Sequence, residues 1–183
     1  IVDVLNQQAR LLSEDGKQRH ATISPDGLNI AYIKGNDLFM QDYQTSKETQ
    51  VTKDGKANSI ITGYADWVYE EEFTFDKAFF WSPDGKKIAF YRFDETEVPE
   101  FHMPKYGDLY PEDYTFKYPK AGEKNSKVTI MVYDIGEGLI HKLDLGDYEY
   151  IPRIKWTKSS GLLAVMKMPR LQNKLDIDLV NTQ

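Results

Sequence analysis

Cysteine is absent from all 183 residues, which removes disulfides and thiolate metal sites from consideration. Histidine is scarce: His20, His102 and His141 lie far apart, with no metal-ligand spacing, and none is assigned to catalysis. No stretch of about 18 apolar residues could cross a bilayer as a helix. Net positive charge is missing too. A formal net charge of −6 and a pI near 5.1 argue against nucleic acid, whose phosphates demand a basic face, and are compatible with a partner that carries positive charge. Neither the P-loop nor the dinucleotide glycine pattern occurs, and nothing points to a cofactor. The Gly-x-Ser-x-Gly elbow that presents a nucleophile in an α/β-hydrolase is also lacking, so no catalytic residue is assigned within these positions. The chain begins at Ile1 without methionine or a signal-peptide pattern, and the expectation is a fragment of a longer protein.

The residues that are present point to β structure. Hydrophobic residues make up 40% of the chain in short runs, and 12 of its residues are tyrosine, which favours strands. Ser24-Pro25-Asp26-Gly27 leads into the run Leu28–Ile33, and Ser82-Pro83-Asp84-Gly85 leads into Lys86–Tyr91 in the same way. Proline presets φ at the second turn position and glycine takes the left-handed position at the end, so each turn joins two antiparallel strands. A degenerate third copy, Trp156-Thr157-Lys158-Ser159-Ser160-Gly161, precedes Leu162–Met166. Two further short strands with a polar turn follow the first copy, and two more follow the second. The serines of these turns are assigned a structural role, their hydroxyls bonding locally to backbone.

Recurring four-stranded units are the signature of propeller blades. The first two turns lie 58 positions apart (24 to 82) and the last two glycines 76 apart (85 to 161), so each blade carries an insertion. The fold class expected is all-β, a partial propeller of four-stranded antiparallel blades. It should hold about two full blades and parts of two more over positions 1–183. A β-sandwich uses similar strands and turns, but the repeat keeps its internal order, which favours the propeller.

The first insertion, 58–76, contains Asp66-Trp67-Val68-Tyr69-Glu70-Glu71-Glu72. Asp66 is placed to cap a short helical turn. Consecutive residues of a helix differ by about 100°, so at most two of the three carboxylates can converge on one point. On composition alone the run is a solvated face; a cation between two of its members would make it favourable. The second insertion, about 94–126, holds four of the eight prolines and the aromatics Phe101, Tyr106, Tyr110, Tyr114, Phe116 and Tyr118. Disordered segments are poor in aromatics, so this one is expected to be an arm packed on another domain or subunit.

Asp66–Glu72, Trp81–Gly85, Asp94-Glu95-Thr96-Glu97-Val98-Pro99 and Tyr118-Pro119-Lys120-Ala121-Gly122, in that order, resemble the propeller of the dipeptidyl peptidase IV family of serine peptidases. The resemblance implies an eight-bladed propeller capping an α/β-hydrolase domain of the prolyl oligopeptidase type, which lies outside these residues. It implies that a short helical segment carries paired glutamates, Glu71 and Glu72 here, that bind the free N-terminal ammonium of a peptide substrate. The arm then helps to form a homodimer, and cleavage after proline or alanine is expected. The family's substrate-binding arginine lies upstream of Ile1. A periplasmic or secreted bacterial protein is the expected setting. Two alternatives stay open: a binding-only propeller of an inactive relative, and the propeller of a prolyl tripeptidyl aminopeptidase.

Overall fold

A computed structural model describes residues 1–14 and 16–182. A small hairpin, β1 (Val2–Asp3) and β2 (Gln8–Ala9), precedes the first sheet. That sheet is a four-stranded antiparallel meander of β3 (Gln18–Ile23), β4 (Asn29–Lys34), β5 (Asp37–Asp42) and β6 (Glu48–Gln50), in chain order. The second sheet begins with β7 (Ile60–Thr62), which is followed by the helical turn α1 (Trp67–Glu71), then β8 (Phe79–Trp81) and β9 (Lys87–Asp94). The arm is an antiparallel hairpin of β10 (Glu100–Lys105) and β11 (Glu112–Lys117), after which β12 (Lys127–Asp134) and β13 (Leu139–Lys142) complete the sheet. A third sheet contains β14 (Tyr150–Trp156), β15 (Leu162–Met168) and β16 (Asp176–Asn181).

The second sheet has one irregularity that matters for the site. Both β7 and β8 pair with β9, at its opposite ends: Ile60–Thr62 against Arg92–Asp94, and Phe79–Trp81 against Ile88–Phe90. One blade strand is therefore split in two, and the segment carrying α1 is the excursion between its halves. The sequence placed an insertion over 58–76, and the structure puts β7 inside that span. The arm, expected as a packed segment with no strands assigned to it, is a six-pair ladder. Pro104 is tolerated in it because a two-stranded ribbon has an open edge where a missing N–H leaves no ladder bond unmade.

Local chemistry forms the turns. At Ser24-Pro25-Asp26-Gly27 the Gly27 N–H donates to the Ser24 carbonyl (2.9 Å), and the Ser24 hydroxyl donates to Asp26 while accepting from the Asn29 N–H (2.9 Å). Ser82 repeats the pattern, donating to Asp84 and accepting from the Lys87 N–H at 2.9 Å. Gly27 and Gly85 have φ of +75° and +73°, a conformation that costs glycine nothing. A β-carbon on Gly85 would also lie 2.6 Å from the Asp26 carboxylate, so the two turns are stacked against each other.

The sheets pack face to face around β9, whose two faces are both buried. Ala89, Tyr91 and Phe93 point into the cluster shared with the third sheet, where Ile151, Ile154, Leu163 and Val165 meet them. Ile88 and Phe90 point the other way, toward Ala31, Ile33, Leu38 and Met40 of the first sheet. This is the period-2 alternation of a strand sandwiched between layers. Tryptophan indoles link neighbouring sheets: Trp81 Nε1 donates to the Thr22 carbonyl (3.0 Å), and Trp156 Nε1 to the Phe80 carbonyl (2.9 Å). The donor in each case sits just before the Ser or Thr that opens its turn, and the acceptor two residues before the Ser of the preceding one. The structure is thus a partial propeller of antiparallel sheets, as the turn repeat implied.

Candidate functional site

The site is built on α1, a single helical turn too short to persist on propensity alone. Asp66, extended at φ −76° and ψ 177°, caps it: the carboxylate accepts from the Tyr69 N–H at 2.9 Å. The other carboxylate oxygen of Asp66 accepts from the hydroxyl of Ser126, at the foot of β12. Val68 and Tyr69 are buried, and Trp67 packs edge-on against Tyr118, just past the arm's return strand, with ring centroids 4.2 Å apart. The Tyr69 ring lies among Phe73, Phe75, Tyr91 and Phe93, all within 6.0 Å between centroids.

Against this buried side, the carboxylates face outward. Glu71 is the last residue of α1 and Glu72 its C-cap, with the Glu72 N–H donating to the Val68 carbonyl at 2.8 Å. Glu70, Glu71 and Glu72 are all exposed. Among the described residues, no lysine, arginine or histidine forms an ion pair with any of the three. Glu71 and Glu72 are consecutive at the end of the turn and unneutralised, and Glu72 lines a groove of about 890 Å³. Glu72, Phe73 and Trp67 form one wall of this groove; Phe101, Tyr118 and Lys120 from the arm and its return form another. Two adjacent carboxylates on a fixed turn can share one cation, and an ammonium with three N–H donors suits them.

A second pair of acids sits behind the turn. Asp66 is 5% exposed and Glu95 8%. Burial pushes the Asp66 carboxyl up, partly offset by the bonds from Ser126 and the Tyr69 N–H. Glu95 is pushed up to about 7, first by burial and then by the Asp66 charge, with Lys117 opposing. A carboxyl whose folded pKa exceeds its unfolded value supports the fold fully below the unfolded pKa of 4.5, and that support is lost as pH rises toward about 7. Glu95→Gln cannot ionise, so it is expected to match the parent protein at pH 4.5 and to exceed it by about 2–3 kcal/mol at pH 8. Melting temperatures of the two proteins at both pH values check this; a variant less stable at pH 8 would contradict it.

The histidines stay apart. His20 Nε2 lies 3.0 Å from Asp76, His102 contacts Asp113 and Thr115, and His141 lies 2.9 Å from Glu137. The family resemblance singled out Glu71 and Glu72; sequence reasoning did not single out Tyr69 or Ser126, which bond to the turn's surroundings and to its cap. The bonds that make these residues matter join positions 60 and 82 apart, and no local spacing signals them.

Comparison with known proteins follows the same lines. A family model described as the dipeptidyl peptidase IV (DPP IV) N-terminal region matches residues 1–183. A protein named probable dipeptidyl-aminopeptidase B from Talaromyces marneffei is 34% identical over 89% of this chain and 20% of its own length. Dipeptidyl aminopeptidase B of Saccharomyces cerevisiae is 36% identical over 82% of this chain and 18% of its own. The crystal structure of Porphyromonas gingivalis dipeptidyl peptidase 4 superposes with a TM-score of 0.93 at 45% identity, over 98% of this chain and 26% of that one. The chain spans about a fifth to a quarter of each of these relatives. With its split blade strand, its capped glutamate turn and a family match along its whole length, the chain belongs to the dipeptidyl peptidase IV N-terminal region family.

Proposed function

We propose that this chain is the substrate-gating, N-terminus-anchoring portion of the propeller of a serine-type dipeptidyl peptidase. The whole protein would release X-Pro or X-Ala dipeptides from peptides with a free N-terminus. The observation that carries this reading is the pair Glu71 and Glu72: adjacent, exposed, without a cationic partner among the described residues, and fixed by a turn whose other face is buried. An N-terminal ammonium bound there by charge-assisted bonds would sit at a set distance from a nucleophile, and that distance makes the enzyme a ruler cutting two residues in. The names of the relatives, dipeptidyl aminopeptidases and a dipeptidyl peptidase, support the same class. No Gly-x-Ser-x-Gly elbow occurs in these residues, so the nucleophile would come from an α/β-hydrolase domain of the same protein. The arm, with Tyr106, Leu109 and Tyr110 exposed at its tip, would join two subunits.

The test compares substrates that differ only at the amine. The full-length protein should cleave a Gly-Pro reporter, and should cleave its N-acetylated form about 100-fold more slowly or not at all, since acetylation removes the charge that the carboxylates recognise. Purified 1–183 alone should release nothing. Equal turnover of the blocked substrate would refute the anchor, and preference for an Ala-Ala-Pro reporter would turn the ruler into a tripeptidyl one.

A further inference from the structure

What holds the glutamates still is a question that α1 by itself cannot answer, because five helical residues contribute too few hydrogen bonds to offset their ordering. The answer lies in its neighbours. Strand β14 carries a bulge between Tyr150 and Arg153, where its register against β15 shifts by a residue. Ile151 sits in that bulge and is fully buried, followed by Pro152, which has no N–H. Both backbone groups of Ile151 are satisfied by tyrosines of the neighbouring sheet. Its N–H donates to the Tyr69 hydroxyl oxygen at 2.8 Å, and its carbonyl accepts from the Tyr91 hydroxyl at 3.1 Å. Tyr69 is two residues before Glu71. Its ring is only 2% exposed, so the hydroxyl meets no solvent and the bulge has no water to turn to. The second tie is the Ser126 hydroxyl, also buried, donating to the cap Asp66 at the other end of the turn.

We infer that Tyr69 and Ser126 are positioning residues that pin the glutamate turn to two different strands, β14 and β12, and so set where a bound ammonium sits relative to the rest of the enzyme. The inference rests on the ammonium-anchor reading of Glu71 and Glu72 and extends it to residues that touch no substrate. The Tyr69 pin crosses from the second sheet to the third, so the anchor's place is tied to the packing between blades. A buried donor left without an acceptor is costly, and α1 or the bulge must move to pair it. Displacement of an anchor by about 1 Å is enough to lower turnover severely.

The experiment is steady-state kinetics of the full-length protein on a free-amine Gly-Pro reporter, for Tyr69→Phe, Glu71→Gln and the double variant. Tyr69→Phe keeps the ring and its packing and removes only the oxygen. It should lower kcat/KM by about 10- to 100-fold with a raised KM. A purely structural role would reduce the fraction of folded enzyme, which lowers the apparent kcat and leaves KM alone. In the Glu71→Gln background the added Tyr69→Phe change should cost less than it does alone, because one of the two carboxylates it positions has already been disabled. An unchanged KM in Tyr69→Phe, or effects that multiply in full in the double variant, would overturn the inference while leaving the anchor standing. Wild-type activity of Glu71→Gln would remove the anchor itself and this inference with it. Should Tyr69→Phe fail to yield folded enzyme, Ser126→Ala is measured in the same way: a raised KM supports the pins, and an unchanged one overturns them.

Discussion

Glutamine at position 71 or 72 of the full-length protein is expected to lower kcat/KM on unblocked dipeptidyl substrates by about 30- to 4000-fold, with the fold intact. Glutamine keeps the size and one acceptor of glutamate and loses the charge. Removing one partner of a desolvated charge-assisted pair costs about 2–5 kcal/mol, which gives that range of rates. The loss has little route into stability, since both side chains are exposed and form no ion pair among the described residues. Glu70→Gln serves as the internal control: it lies about 200° round the turn from Glu72, which lines the groove, and its loss should change kcat/KM by less than about threefold. Kinetics at one pH, with circular dichroism for folding, decide the matter. Activity near the parent level in both Glu71→Gln and Glu72→Gln would return the acidic run to a solvated surface.

On the proposal that the arm joins two subunits, shortening it is expected to leave the full-length protein monomeric. Met103 pairs with Tyr114 across the hairpin, so the ten residues from Pro104 to Asp113 can be exchanged for Asn-Gly, a two-residue link that closes such a ladder in a type I′ turn. This removes Tyr106, Leu109 and Tyr110, each at least 77% exposed, and keeps Phe101 and Phe116, which pack toward Tyr118 at the foot of the arm. A lone two-stranded ribbon is marginal in water and carries apolar residues at its tip, a form that makes sense when a second subunit covers it. Light scattering on full-length protein should show the mass halved on shortening. A dimer that survives would mean that the subunit contact lies elsewhere.

Parts of this structure could be read directly along the chain because their interactions are local. The Ser-Pro-Asp-Gly turns are fixed by proline's φ, by glycine at positive φ, and by a serine hydroxyl bonding to groups within five residues. The helical turn follows from Asp66 capping a residue three positions on, which also makes Glu71 and Glu72 neighbours at its end. The family resemblance drew on two of these short stretches, Asp66–Glu72 and Trp81–Gly85, and on Asp94–Pro99 and Tyr118–Gly122. The supports of the site are another matter. That β7 and β8 are two halves of one strand depends on both finding β9, and three residues of each hold no mark of this. The arm's proline-rich stretch gave no strand signal, because proline is excluded only from the ladder positions of inner strands, and this ribbon has none. Tyr69 reads as an ordinary core aromatic until the β14 bulge leaves the Ile151 N–H without a ladder partner, 82 residues away. Residue types and local dihedrals therefore determined the turns and the strands beside them, while the choice of Glu71 and Glu72 among three glutamates came from the family resemblance. Which buried polar groups were left for one another to satisfy was decided only when the sheets packed, because a donor's need for a partner arises from the neighbour that excludes its water.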